Sequence, residues 1–440
     1  MNKTIFRLAI PNILTNLSVP LLGIVDTALM GHLDSPIYLG AVAIGGTVFS
    51  FLYWGMGFLR MGTTGLAAQA FGEKNAAQQA LILTHALSVA LIAGILFVAF
   101  QVPIAHLSFW LIPGEADIME QAQIYFFIRI FAAPATISLY ALNGWFLGMQ
   151  NARIPMILAI TGNIVNIGLS VLLVVHYEMG VAGVAWATVG AQYLTFGLSL
   201  ILFSIFYFSK LQLPNKDAIL DPQGLQKFFL VNADIFLRTV CLIFVFAFFT
   251  AQSSLLGPIV LAANQIVRQF QDIMAYGVDG FAFATESLVG RYMGAKDEEN
   301  LRKALRLLFI WGIGLGLLFG IIYAVFGRVL LYIFTDQLPV IDVAQDYLIW
   351  IVFISIFASV AFMYDGAYIG ATASKAMRNT MLFSTIVVFL PAYYLSLPWL
   401  EDHALWFSML MFMLARTGSM AYLAPRNLFM KFNIEEKGTI

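Results

Sequence analysis

Twelve long apolar runs, separated by short polar loops, fill almost all of this 440-residue chain. A helix needs about 20 apolar residues to cross the hydrocarbon core of a bilayer, and each run reaches that length. A transmembrane β-strand would instead alternate apolar and polar residues. We therefore predict an all-α integral membrane protein with transmembrane helices, numbered 1 to 12, at residues 4–30, 38–69, 78–103, 119–147, 154–175, 181–208, 225–250, 258–290, 304–325, 341–370, 379–398 and 403–425.

Charged residues are too few to cover a water-soluble fold. They make up 11% of the chain, whereas soluble domains contain about 25%. Twelve helices leave no length for a soluble catalytic domain, and we find no Walker A motif, no zinc-type His/Cys spacing and no Ser/His/Asp grouping. We therefore expect a protein that is not an enzyme and that binds no metal or cofactor. No basic patch indicates nucleic acid as a partner.

Lysine and arginine residues in the loops predict the orientation of the helices. The even-numbered loops and the two chain ends contain seventeen of them, Lys431 and Lys437 included, whereas the odd-numbered loops contain only Arg328. The first apolar run continues to Met30 without a small-residue cleavage site, so we interpret it as an uncleaved helix. We expect a multi-pass protein of the plasma membrane, the inner membrane in a bacterium, with both termini in the cytoplasm.

The two halves of the chain match at a constant shift of 222 residues. The shift places Lys74 on Lys296, and it places the run NGWFLG, which begins at Asn143, on DGAYIG, which begins at Asp365. Each half contains six predicted helices, so the two halves share one orientation in the membrane. The sequence therefore predicts two parallel six-helix repeats.

This repeat also predicts the domain boundaries. We expect an N-terminal lobe at 1–208, a cytoplasmic linker at 209–224 and a C-terminal lobe at 225–440. Parallel repeats of this kind place a substrate site between the halves, and alternating access rocks one half against the other. A duplicated scaffold without transport, such as a receptor, is the alternative interpretation.

Several motifs resemble the multidrug and toxic compound extrusion (MATE) family. They are the paired NG-x-x-x-G-like runs, the Gly-x-Lys loops after helices 2 and 8, and the aspartate in GIVDTALMGHL on helix 1. The stretches YGVDGFAFATESLVGRYMGAKD and DGAYIGATASKAMRNTM are most similar to the DinF-like branch. The resemblance covers essentially the whole chain. It implies two six-helix lobes around a central cleft, and export of organic, often cationic, amphiphiles in exchange for protons or sodium.

Asp26 is the clearest functional candidate of the N-terminal lobe. A charge at bilayer depth is a functional hypothesis by default, and no lysine or arginine lies within a helical turn or two of Asp26 in the sequence. A carboxyl group in an apolar cavity without a cation partner can load and release a proton near neutral pH. It could also attract a cationic drug, so that proton and drug compete. The alternative is a structural pair between Asp26 and Arg129.

Polar residues on helices 4 to 6 extend this candidate site. Asn163, Asn166 and Ser170 share one face of helix 5. The resemblance maps the family's site onto Asp26, Asn166, Tyr125 of helix 4 and Thr188 of helix 6. Ser170 stands where many relatives carry a second aspartate, which favours Asp26 as the sole titrating group of this lobe. For Asn163, an amide bond between helices is an equally good interpretation.

The C-terminal lobe contains more charged residues inside its predicted helices. Opposite signs in comparable numbers suggest an internal salt-bridge network, which is tolerated when each charge finds a partner. A second ion or substrate site, with Asp365 and Asp279 as candidates, is the alternative. Arg60 and Arg416 lie near cytoplasmic helix ends, where we expect them to snorkel. The network candidates are Asp234, Arg238, Arg268, Asp272, Asp279, Glu286 and Asp365.

The sequence therefore predicts a secondary active antiporter that exports organic cationic or amphiphilic compounds in exchange for protons, by alternating access with protonation of Asp26. Sodium is the alternative coupling ion, although it needs several oxygen ligands and a lone carboxylate suits a proton better. A lipid-linked precursor flippase is the other alternative, for which Arg129, Arg238 and Arg268 are the few available cations. We expect small amphiphilic substrates and membrane lipids as partners, and a monomer.

Overall fold

A computed structural model describes residues 1–31, 35–112, 114–212 and 214–429 of the chain. These residues form helices joined by short turns, and they contain no β-strand. Residues 32 and 33 of the helix 1 motif, as well as Lys431 and Lys437, lie outside them. The α-helices are α1 (Asn2–Gly31), α2 (Pro36–Gly55), α3 (Phe58–Gly72), α4 (Ala76–Ala99), α5 (Gln101–Leu111), α6 (Ala116–Arg129), α7 (Ala133–Gly148), α8 (Arg153–Val171), α9 (Gly180–Phe206), α10 (Lys216–Ile219), α11 (Pro222–Leu255), α12 (Pro258–Gly294), α13 (Glu298–Leu331), α14 (Leu338–Gly370), α15 (Ser374–Leu382), α16 (Leu390–Leu400) and α17 (Ala404–Ala424).

Each predicted span coincides with one helix or with two consecutive helices. The predicted helix 2 is divided into α2 and α3 at Met56 and Gly57. The predicted helix 4 is divided into α6 and α7 by the 3₁₀ turn Ile130–Ala132. Pro134 follows that turn, and a proline cannot donate the backbone hydrogen bond that would continue the α-helix across it.

The surfaces of these helices are those of membrane-spanning segments. Ten helical stretches in the described residues are long and apolar enough to cross a membrane. One of them, Ser374–Phe429, covers two of the predicted helices, and α12, with its charged residues, is not among the ten. Large apolar side chains such as Ile164, Ile205 and Val325 are each 65% exposed, which is stable where lipid surrounds the helix. The number twelve stays a prediction.

Two compact units make up the structure. The N unit comprises Leu14–Phe228, and the C unit comprises Met1–Ile13 with Phe229–Ile440, as far as the described residues extend. The division falls inside α1 and inside α11. The predicted linker therefore packs with the N unit, where the ring nitrogen Nε2 of His85 lies 2.9 Å from the carbonyl oxygen of Ile219 in α10. The boundaries at 208 and 225 stay a prediction.

Local backbone features recur in the two units at the 222-residue shift between the halves of the sequence. Lys74 and Lys296 both adopt a left-handed conformation, with φ of 56° and 54°. Asn75 and Asp297, which follow them, both act as helix N-caps, since each side-chain oxygen accepts a hydrogen bond of 3.0 Å from the backbone N–H three residues later. Such a cap satisfies a donor that the first turn of a helix leaves free.

Close helix packing recurs at the same shift. Gly148, the last residue of α7, lies on α3, where an added Cβ atom would come within 2.6 Å of the Ala67 Cβ. Gly370, the last residue of α14, lies on α12, where an added Cβ would come within 2.6 Å of the Glu286 carbonyl oxygen. Small residues at such positions let helix backbones approach closely inside a membrane.

We expect Gly148→Ala and Gly370→Ala each to destabilise the protein by about 1–3 kcal/mol, because the added methyl group overlaps a fixed neighbour. The measurement is the thermal unfolding midpoint in detergent. Gly197→Ala and Gly418→Ala are matched controls, since an added Cβ would meet nothing within 4 Å at either position. Unchanged midpoints for Gly148→Ala and Gly370→Ala would contradict this close packing of helices.

Candidate functional site

Asp26 lies in α1 of the N unit, and one of its two carboxylate oxygens has no hydrogen-bond partner among the described residues. The side chain as a whole is partly buried, and this oxygen, Oδ1, is fully buried. Buried polar atoms in folded proteins almost always have such a partner, so an unpaired one requires an explanation. Arg129 is the charged group whose electrostatic field acts on this carboxyl group.

Arg129, at the end of α6, is engaged elsewhere. Its Nη1 atom donates a hydrogen bond of 2.5 Å to the hydroxyl oxygen of Tyr125. Its guanidinium carbon lies 4.8 Å from the centre of the Phe49 ring and 5.3 Å from that of the Tyr125 ring. A salt bridge between Asp26 and Arg129 was the structural alternative for this aspartate. The described residues show Arg129 bonded to Tyr125 instead.

Asn166, Ser170 and Thr188 form a separate hydrogen-bonded chain between α8 and α9. The Asn166 amide nitrogen donates to the Thr188 hydroxyl oxygen over 3.1 Å, and the Ser170 hydroxyl donates to the Asn166 amide oxygen over 3.4 Å. Thr188 in turn donates to the Val184 carbonyl oxygen over 3.0 Å. Apart from Asn163, the predicted coupling residues therefore fall into two groups, one around Asp26 and one whose side chains bond to one another. A role in transport for either group stays a prediction.

Asn163 connects two helices. Its amide nitrogen donates a hydrogen bond of 2.9 Å to the backbone carbonyl oxygen of Ser18 in α1. This bond ties α8 to α1 two residues before Pro20, and it matches the interhelical amide bond that the sequence left open for this residue.

In the C unit, Asp365 is the centre of a buried charge triad. Arg238 of α11 and Arg416 of α17 each donate from Nη2 to the same carboxylate oxygen, Oδ2, with a distance of 2.5 Å for Arg416. Arg416 is 0% exposed, so the expectation that it snorkels to the interface was wrong. The reason is that its counter-ion lies on another helix, deep inside the unit.

Asp234 and Arg238, one turn apart on α11, both take partners on other helices. Asp234 accepts a hydrogen bond of 2.6 Å from Arg378 Nη1 and one of 2.9 Å from the Ser374 hydroxyl. These pairs, together with the triad, are contacts of the kind that the predicted salt-bridge network requires. A second ion or substrate site in this unit stays a prediction.

The charged face of α12 has its own contacts. Arg268 donates to the Thr250 hydroxyl oxygen over 3.3 Å, and its guanidinium carbon lies 5.1 Å from the centre of the Phe246 ring. The Arg268 charge also acts on Asp272, one turn further along α12. The remaining two members of this face, Asp279 and Glu286, interact with neighbours as well. The described residues contain no cluster of three or more His, Cys, Asp or Glu side chains that could hold a metal ion.

The two units differ in these charges. The counterpart of Asp26 at the 222-residue shift is Phe248, which packs against the rings of Phe389 and Tyr393. The counterparts of the three triad residues in the N unit are uncharged: Asn143, Asn16 and Leu194. The sequence shift pairs these positions, but nothing in the sequence alone showed that Arg416 belongs with Asp365.

Comparison with known proteins identifies the family. The MatE family model matches residues 11–172 and again residues 235–395. The chain belongs to the MATE family. DNA damage-inducible protein F of Escherichia coli (strain K12) is 38% identical over 428 residues, which are 97% of this chain and 92% of that protein. The MATE resemblance drawn from the sequence, with its DinF-like branch, is confirmed.

More distant relatives agree with this assignment. The probable multidrug resistance protein NorM of Thermotoga maritima is 23% identical and covers 78% of this chain and 75% of that protein. A solved structure described as the outward-facing conformation of a multidrug resistance MATE family transporter has a TM-score of 0.86 at 19% identity, with 97% of this chain and 95% of that chain covered. MATE proteins are transporters of small molecules, and the apolar helices indicate a multi-pass membrane protein.

The buried triad of Asp365, Arg238 and Arg416 predicts how substitutions at these positions change the stability of the protein. Asp365→Asn leaves two buried guanidinium groups without their shared anion, and we expect a loss of about 3–5 kcal/mol and a lower unfolding midpoint in detergent. The variant Asp365→Asn/Arg238→Asn/Arg416→Leu installs the three uncharged residues of the N unit.

We expect this triple variant to recover most of the stability that the single change removes, because no unpaired charge is left. Equal midpoints for wild type and Asp365→Asn, or a triple variant no more stable than the single one, would show that the triad does not depend on charge neutralisation.

Proposed function

We propose that this MATE protein is a secondary active antiporter that exports cationic amphiphilic compounds in exchange for protons, with Asp26 as the group that binds proton and substrate in turn. The observation that supports this most directly is the buried Asp26 Oδ1 atom, which has no hydrogen-bond partner among the described residues. An ionised carboxyl group in a low-dielectric site is costly unless it is paired. A proton or an organic cation would supply the missing partner.

Asp26 suits this role better than the aspartates of the C unit. Asp365 is already bound by Arg238 and Arg416, and Asp234 is bound by Arg378. A carboxylate held by arginine is stabilised in its ionised form, so it takes up a proton less readily. Of these three aspartates, Asp26 is therefore the one that we expect to exchange partners.

The contacts favour protons over sodium. A sodium ion would need oxygen ligands besides Asp26, and the family resemblance makes Asn166, Ser170 and Thr188 the candidate suppliers. Their side chains bond to one another instead. A proton needs only the carboxylate itself.

The contacts of the arginine side chains also argue against a lipid-linked precursor flippase, because such a protein would need free cations to hold a pyrophosphate group. Arg238 is bonded to Asp365, Arg129 to Tyr125 and Arg268 to Thr250. The names of several relatives include multidrug resistance or multidrug and toxin extrusion, and we extend that substrate class to this chain.

The proposal includes the arrangement in the membrane. We infer twelve transmembrane helices in two parallel six-helix repeats, both termini in the cytoplasm, and a location in the plasma membrane. Two observations support the repeat. The two matches of the family model begin 224 residues apart (235 − 11) and end 223 residues apart (395 − 172), and the caps and close-packed glycines recur at the 222-residue shift. Alternating access would then carry the Asp26 site from one face of the membrane to the other.

The decisive test is transport of ethidium into proteoliposomes under an imposed pH gradient without sodium. We expect the wild-type protein to transport and Asp26→Asn to lose proton-driven transport, because an amide cannot exchange a proton in this pH range. Asp342→Asn is the matched control, since Asp342 is largely exposed and makes only a 3.4 Å surface pair with Arg328.

If Asp26→Asn and wild type transport equally, Asp26 does not couple transport to protons. The charged residues of α12 then become the next candidates. No ethidium transport by wild type under either a proton or a sodium gradient would overturn the multidrug assignment. Folding of each variant is checked by its elution profile in detergent before reconstitution.

A further inference from the structure

We propose that Phe49 and Tyr125 hold Arg129 where it does not bond to Asp26, so that a proton or a substrate from outside the protein supplies the bonded partner of that carboxyl group. Arg129 therefore does not neutralise Asp26 in place of a proton or a cationic substrate. This inference rests on the proposed antiport function. It adds the contacts that hold Arg129 as the reason why each transported compound must be exchanged for a proton.

The guanidinium group of Arg129 is held on two sides. Tyr125 accepts its hydrogen bond of 2.5 Å, and the face of the Phe49 ring lies 4.8 Å from its central carbon. Hydrogen bonds to a charged donor are stronger than neutral ones, and an aromatic face attracts a cation most strongly where water is excluded. We call Phe49, Tyr125 and the glycine behind them, Gly45, the arginine cradle.

The cradle is itself firmly packed. Tyr125 is 1% exposed, and an added Cβ atom at Gly45 would overlap its ring, so glycine is required there for the ring to fit. Phe49 stacks on Phe126 with ring centres 5.3 Å apart, and it meets the Tyr125 ring edge-on at 6.3 Å. A packed core of this kind does not release one side chain without disturbing several others.

The charges around the site leave Arg129 as the natural internal counter-ion. Its field acts on Asp26 and also on the tyrosines Tyr53 and Tyr140, on α2 and α7. Arg60, on α3, acts on Tyr140. Tyrosine hydroxyls are neutral in the physiological pH range, so these two tyrosines cannot replace a cation at Asp26. The Nε atom of Arg129 is buried without a hydrogen-bond partner in the part of the chain that the structure describes, so the guanidinium still has a donor to offer.

Obligatory exchange needs Arg129 to stay in this cradle. An antiporter stays coupled only if its empty site cannot return across the membrane, and an ionised carboxyl group in an occluded, apolar site supplies that barrier. A proton removes the barrier, and so does a cationic substrate. A guanidinium on the same chain would remove it too. Because a tethered group competes at an effective concentration on the order of millimolar, a free Arg129 would neutralise Asp26 ahead of most exported compounds.

Tyr125→Phe tests the cradle because it removes the hydroxyl acceptor and keeps the ring. Proteoliposomes are loaded with ethidium, the membrane potential is clamped with potassium and valinomycin, and downhill efflux is measured at equal pH on both sides, at pH 7 and at pH 9. The readout is the ratio of the two rates within one preparation, so differences in the amount of folded protein cancel.

We expect wild-type efflux to fall by about tenfold or more between pH 7 and pH 9, since the protonated fraction of a site above its midpoint falls about tenfold per pH unit. In Tyr125→Phe, the efflux rate should change much less between pH 7 and pH 9, because the released Arg129 lets the empty site return without a proton. In Tyr125→Phe/Arg129→Gln, the efflux rate should again fall between pH 7 and pH 9 as in the wild type. Phe49→Leu, which removes the aromatic face and leaves the Tyr125 hydroxyl, should show an intermediate ratio.

A wild-type ratio in both Tyr125→Phe and Phe49→Leu would overturn the inference and leave the proposed function standing. A Tyr125→Phe/Arg129→Gln variant that leaks as strongly as Tyr125→Phe would overturn it as well, because the leak would not pass through Arg129. Efflux that does not change with pH in the wild type would remove the proton-return step itself, and the proposed function would fall together with the inference.

Discussion

The stability of this structure depends on how each ionised side chain inside an apolar helix bundle is neutralised. Water cannot do so at membrane depth, so every charge needs a protein partner or remains costly. In the C unit, Asp365 meets this requirement between Arg238 and Arg416, and Asp234 meets it on Arg378. Asp26 of the N unit has no bonded arginine among the described residues, and its Oδ1 atom is buried without a hydrogen-bond partner there. That difference separates structural charges from the one that we propose to carry a proton.

Much of the fold could be predicted from the sequence because the bilayer fixes helix length. The predicted helices at 181–208 and 258–290 coincide closely with Gly180–Phe206 and Pro258–Gly294. The interruptions were harder to predict. Gly57 and Pro134 divide two apolar runs that have no change in hydrophobicity at the break, so a hydropathy argument passes over them. The shift of 222 residues nevertheless paired Lys74 with Lys296, and the structure shows both in the left-handed conformation.

The partners of the charged residues could not be predicted, and the reason is geometric. Spacing along one helix suggests partners a turn away, such as Asp234 and Arg238, but both use their charges across helices. Arg416 was assigned to the interface from its distance to a helix end. Its partner Asp365 is 51 residues earlier in the chain, and only the packing of α14 on α17 brings them together. A side chain of this length reaches whichever counter-ion is nearest in space, and a single sequence does not contain that distance.

The repeat also shows which features a duplicated fold must keep. Gly148 and Gly370 are both glycine because a backbone lies against each of them, and Asn75 and Asp297 both cap a helix because a first turn leaves its donors free. Backbone geometry imposes these identities on both units. The charged residues are not constrained in this way. The arginine–aspartate triad of the C unit and its counterparts in the N unit, Asn16, Asn143 and Leu194, both leave no unpaired charge. One unit can therefore hold an internally neutralised triad while the other retains Asp26, whose charge we propose to be neutralised by a proton or a substrate.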